Sequence, residues 1–118
     1  MPDDLLDLVE ELIRGACDGQ WPLTLDGWTR ITAFYGLKMH CAGEKMLFGR
    51  AASYGQAVCV YVEDERWTEI LPAICHEVAE CLLDFEEFPP YSTPGMLTRH
   101  QVAQLVEFRY RRFLNGRK

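Results

Sequence analysis

Nothing in this chain reads as a membrane span: no apolar run approaches the roughly 20 residues that a bilayer crossing requires. The opening Met-Pro-Asp-Asp is acidic where a secretory leader would be basic and then apolar, so a cytoplasmic protein is expected. A dense basic run is missing before the last ten residues, and the formal net charge is -6. Both argue against gripping nucleic acid through its phosphates. The basic residues at the end, Arg109, Arg111, Arg112, Arg117 and Lys118, read as a solvated helix terminus. The five cysteines (Cys17, Cys41, Cys59, Cys75, Cys81) are odd in number and contain no C-x-x-C pair. Neither a disulfide framework nor a four-thiolate zinc site is indicated, and the pattern suits small buried residues in a reducing compartment.

What is present suits one globular domain over residues 1–118. With 48% hydrophobic and 25% charged residues, the chain is long enough to bury a core without staples. Residues 3–16 have helical spacing in Leu5, Leu8, Val9, Leu12 and Ile13, with Asp3 as cap, and Gly15 and Asp18-Gly19 as breakers. A second helix is expected over Leu25–Tyr35, capped by Thr24 and stopped by Gly36, with Trp28, Ile31 and Phe34 on one face. From Leu37 to Val62 the period changes. Leu37–Cys41, Lys45–Gly49 and Gln56–Val62 predict three short strands, and the glycines between them suggest a small curled sheet with helices packed on it, an α+β fold. His40 reads as an ordinary strand histidine. A helix over Trp67–Leu83 contains Pro72, residues 84–95 form a proline-rich connection, and a last helix spans Leu97–Leu114 with Thr98 near its start.

Chemistry is concentrated in Ile74-Cys75-His76-Glu77-Val78-Ala79-Glu80-Cys81-Leu82-Leu83, whose core is H-E-x-x-E. On a helix, positions i and i+4 lie one turn apart on one face, so the His76 imidazole and the Glu80 carboxylate reach a common point. Imidazole nitrogen and carboxylate oxygen are both ligands for a first-row divalent cation, and Glu77 beside them is a candidate general base. The alternative is a solvated face, with Leu71, Ile74, Cys75, Val78, Ala79 and Leu82 buried and His76, Glu77 and Glu80 turned to water.

The last helix adds a second set. Val102, Val106, Tyr110 and Phe113 form an apolar stripe, while His100, Gln104, Glu107 and Arg111 form a polar one between apolar borders. His76, Glu80 and His100 together have the composition of a catalytic zinc site. An exposed Glu107–Arg111 pair with a surface histidine is the plainer reading of the same stripe.

The order of elements around "FYGLKMH", "QAVCVYV", "ILPAICHEVAECLLDF" and "RHQVAQLVEFRYRRFL" resembles the ImmA/IrrE family of zinc metallopeptidase-like proteins over roughly residues 24–114. In that family the core helix reads like H-E-L-x-H-x-L-L, and a later helix carries E-x-x-A-N, whose Glu is the third ligand. Leu82 and Leu83 match the trailing leucines, and Ala103 and Gln104 fall where the family has Ala-Asn, which places His100 on the third-ligand position. Glu80 and His100 thus exchange residue type relative to the family, and Glu107 is an alternative third ligand. The resemblance implies a zincin-like domain with the motif helix followed by a C-terminal helix, and one zinc ion held by His76, Glu80 and His100. It further implies peptide hydrolysis with Glu77 as base and a helix-turn-helix transcriptional repressor as substrate or partner. Tyr91 and Tyr110 are the candidates for an electrophilic helper. The competing functional classes are an inactive metallopeptidase-fold module that binds its partner without cutting it, and a small structural protein with the motif on its surface.

Overall fold

A computed structural model describes residues 2–42, 57–61, 67–85 and 98–116. Helix α1 spans Pro2–Gly15 and buries Leu6, Val9 and Ile13, three positions on one helical face. It starts at Pro2, whose fixed φ suits a first helical position, so Asp3 lies inside the first turn and is not its cap. The helix is closed by the Gly19 amide donating to Arg14 O at 2.7 Å, with Asp18 and Gly19 in left-handed conformation at φ 56° and 81°.

Helix α2 spans Leu25–Phe34. The Gly27 amide donates to Thr24 Oγ1 at 3.1 Å, as expected for that cap. At the other end Gly36 adopts φ 73°, its amide donates to Ala33 O at 3.1 Å, and the Leu37 amide donates to Thr32 O at 2.8 Å. These two bonds form a Schellman motif around the stop glycine. Trp28 and Ile31 are buried, but Phe34 is 69% exposed and does not belong to their face.

Strands β1 (Lys38–Ala42) and β2 (Ala57–Tyr61) pair in parallel, with Lys38 opposite Ala57 and His40 opposite Cys59. The strand expected over Lys45–Gly49 lies outside the described residues. The expectation of helices packed on a three-stranded curled sheet is corrected here: the described structure is predominantly helical, and its backbone ladder is limited to the β1–β2 pair. The physical reason is visible in the core. Among residues whose burial is described, apolar burial comes from helix packed on helix, joined by Trp21 and Leu37 from the connections.

Helix α3 (Trp67–Phe85) is the centre of that core, packed against α1, α2 and β2 and most extensively against helix α4 (Arg99–Asn115). Its buried apolar residues include Ile70, Leu71, Ile74, Cys75, Val78, Ala79, Cys81, Leu82 and Leu83, and they face in every direction. A helix apolar all round is a helix with neighbours all round. Helix α4 opens with a capping box: the Gln101 amide donates to Thr98 Oγ1 at 3.1 Å, and the Thr98 amide donates to Gln101 Oε1 at 2.8 Å. Val102, Ala103, Val106 and Tyr110 then pack against α3 and the rest of the core. Tyr110 Oη donates to Pro22 O at 2.8 Å and accepts from Trp28 Nε1 at 3.1 Å, which ties α4 to α2 and to the connection before it. Arg109 reaches Asp7 and Glu10 of α1 at 2.9 Å each. No described helix is long and apolar enough to cross a membrane.

Candidate metal centre

One turn of α3 sets His76 Nε2 at 2.7 Å from Glu80 Oε2, the separation that i, i+4 spacing allows. The capped first turn of α4 brings His100 to the same point. Its Nδ1 lies 3.0 Å from Glu80 Oε2 and 3.2 Å from His76 Nε2, with the two rings near-perpendicular at 4.7 Å between centres. His76, Glu80 and His100, proposed from the sequence as one set, are therefore together.

The set sits at the edge of the α3–α4 contact and is graded in exposure. The His76 and Glu80 side chains are 10% and 13% exposed, whereas that of His100 is 60% exposed. Glu77 is 3% exposed. The solvated-face reading of the motif is thereby overturned, because α3 has packing partners on the side where that reading placed water.

Three potential ligand atoms within 2.7–3.2 Å of one another cannot all be hydrogen-bonded pairwise. The carboxylate only accepts, and a ring nitrogen either donates or accepts, so a proton on both facing nitrogens sets two N–H groups against each other. In a four-coordinate zinc site, bonds of about 2.0–2.1 Å separate neighbouring ligand atoms by roughly 3.3 Å. The triangle here is a few tenths of an ångström tighter, which small side-chain rotations correct. By donor type and by spacing, His76, Glu80 and His100 could hold a metal ion.

Glu107 does not join this triangle. Its Oε1 lies 3.1 Å from His76 Nδ1, the nitrogen on the far side of the ring, and Arg111 Nε donates to its Oε2 at 2.9 Å. Sequence reasoning placed Glu107 as an alternative third ligand or a surface ion pair, and missed its place behind His76. The signal available was the shared stripe, with Glu107 and Arg111 two and three turns after His100. Gln104, on the same stripe, is exposed. Tyr110 is committed to Pro22 and Trp28, which removes it as an electrophilic helper, and Tyr91 lies outside the described residues.

The electrostatics follow from these contacts. Burial opposes charge on His76, but hydrogen bonding to Glu107 and Glu80, with the charges of Glu77 and Glu80, outweighs it and pushes the imidazole up to about 9. Burial likewise opposes ionised Glu80, and hydrogen bonds from His76 and His100 hold it below the ordinary carboxylate value. Glu107 is lowered against its burial by His76 and Arg111. Without a cation the cluster is held by protonated His76, with one N–H directed to Glu107 and the other to Glu80.

Comparison with protein-family models, with curated proteins and with solved structures finds no match for this chain.

Proposed function

We propose that this chain is a zinc-dependent peptidase-like protein acting on a protein substrate, a helix-turn-helix repressor being the class that the ImmA/IrrE resemblance of its motif helices suggests. The observation that carries the proposal is the convergence of His76 Nε2, Glu80 Oε2 and His100 Nδ1 from two helices. Two imidazoles and one carboxylate are the protein ligands of thermolysin-type zinc sites, which keep a further position for water. Zinc bound there would supply an acidified water and a Lewis acid for a carbonyl oxygen. Glu77, adjacent in sequence to His76, would be the base for that water if the resemblance holds. The exposed flank at His100 is the side from which a peptide would approach.

A second reading is supported by the burial of Glu77: a base 3% exposed is remote from solvent, as in a domain that holds metal and a partner without cutting. Elemental analysis of tag-free protein supplied with zinc, with His76→Ala and His100→Ala variants, is the first test. About one equivalent of zinc, lost in both variants, supports the centre. No bound metal refutes it. Chelator-sensitive cleavage of a repressor, abolished by Glu77→Gln, supports the peptidase; partner binding that survives Glu77→Gln, without turnover in the wild type, supports the binding module.

A further inference from the structure

A histidine can offer a cation either ring nitrogen, and the choice is set by what the other nitrogen touches. At His76 the two sides are chemically distinct. Nε2 faces Glu80 and His100, while Nδ1 faces Glu107 Oε1 at 3.1 Å. An ionised carboxylate accepts hydrogen bonds and cannot donate one, so Glu107 keeps a proton on Nδ1, and a cation that displaces the proton between Nε2 and Glu80 meets the lone pair turned to the set. The carboxylate is itself fixed. Arg111, one turn further along α4, donates to its other oxygen at 2.9 Å, which prevents rotation of Glu107 away from the ring.

We infer that Glu107, held by Arg111, is the positioning residue of the metal centre, presenting His76 to the ion through Nε2. The inference rests on the proposed metal-holding role of His76, Glu80 and His100, and assigns Glu107 a place behind a ligand and not among the ligands. Carboxylates in this position orient the ring and raise its basicity, and their removal weakens metal affinity by about 10–100-fold. Arg111 acts one step further out. Its side chain is 49% exposed, so water replaces part of its hold on Glu107, and its removal has the smaller effect.

The test is zinc affinity, measured by competition with a chromophoric chelator, on the wild type, Glu107→Ala, Glu107→Gln and Arg111→Ala. Folding is checked by circular dichroism without metal. The expected order of weakening is about 10–100-fold for Glu107→Ala, less for Glu107→Gln, which keeps an acceptor oxygen, and least for Arg111→Ala. Nitrogen-15 spectra of the zinc-loaded wild type show His76 protonated at Nδ1 and bound through Nε2, and Glu107→Ala loses the protected Nδ1 proton. Should Glu107→Ala fail to fold, the nearly isosteric Glu107→Gln must still bind zinc less tightly than the wild type. Wild-type affinity in the Glu107 variants, or an unchanged Nδ1 proton in Glu107→Ala, overturns the inference while leaving the centre intact. Retention of zinc by His100→Ala with its complete loss in Glu107→Ala overturns it in favour of direct ligation. A wild type that binds no zinc overturns both the inference and the centre beneath it.

Discussion

Tyr110→Phe removes one oxygen from the middle of the core and strands two groups at once. The hydroxyl donates to Pro22 O and accepts from Trp28 Nε1, and Tyr110 and Trp28 are both fully buried. The ring contacts survive, since the Trp21, Trp28 and Phe113 rings lie 5.2, 5.4 and 6.4 Å from the Tyr110 ring and do not depend on the hydroxyl. The loss is therefore almost wholly polar. A buried donor or acceptor left without a partner costs about 1–3 kcal/mol, so two of them destabilise by roughly 2–6 kcal/mol. Unfolding entropy of about 2.1 cal/mol/K per residue gives roughly 0.25 kcal/mol/K for a chain of 118 residues, and the melting midpoint falls by about 8–24 °C. Urea titration followed by tryptophan fluorescence should show a lower midpoint at unchanged slope, because the surface exposed on unfolding is nearly the same. A destabilisation below about 1 kcal/mol would refute the reasoning, for it would mean that water or a shifted backbone satisfies both groups.

Three further outcomes are expected. Thr98→Ala removes the acceptor of the capping box and should cost about 0.5–2 kcal/mol; because His100 sits in the turn that the box holds, zinc affinity in a competition titration should drop with it, and unchanged affinity would show that the cap does not position His100. In metal-free protein His76 titrates near 9, above its ordinary 6.5, so its contribution to stability is complete below about pH 6.5 and is lost as pH rises through 9. Glu80 and Glu107, lowered from 4.5, contribute above that value and lose their contribution as pH falls through their depressed values. With Glu77, Glu80, Glu107 and His100 around the ring, the urea midpoint should peak between about pH 5 and 6.5, and a midpoint flat from pH 6 to 9 would contradict a protonated His76 held between the carboxylates. The double variant His76→Leu/Glu80→Leu should unfold, metal-free, at a urea midpoint equal to or above that of the wild type and show no stabilisation by added zinc; a loss of more than about 2 kcal/mol would make the cluster a structural element instead.

The elements with local causes were legible in the sequence. Thr24, Gly36 and Thr98 act where their side chain or left-handed backbone is needed, and each effect spans only a few residues. The meeting of His76 with Glu80 was legible for the same reason, since one helical turn dictates it. Misreadings came where a residue's surroundings are supplied by distant chain. Phe34 has the right period to join Trp28 and Ile31, yet nothing in the period says how wide the covered face is, and it is left exposed. The motif of α3 was open to a solvated reading because amphipathic reasoning presumes one buried face, whereas α3 is covered by α1, α2, α4 and β2. The β-rich stretch before it suggested a sheet as platform, and among the residues whose burial is described the core is instead built from the four helices, with Trp21 and Leu37. Glu107 could be placed on the stripe of His100 from sequence, but which nitrogen of His76 it meets depends on how the two helices lie against each other.

The cluster between α3 and α4 is costly as architecture. His76 and Glu80 are withdrawn from most of their water, and burial alone would drive both toward neutrality. They are held charged by each other, by Glu107 and by His100. A core selected only for stability does as well or better with apolar side chains of similar volume, and α3 uses such residues at its other buried positions apart from Glu77. What Leu and Ile cannot do is bring one imidazole by Nε2, another by Nδ1 and a carboxylate oxygen to a common point, with one ring steadied from behind by Glu107 and Arg111. The exposure gradient adds a direction to that arrangement, from buried His76 to open His100. A structural zinc site closes four protein ligands around the ion, whereas a cation held by His76, Glu80 and His100 alone would keep a side open at the exposed flank.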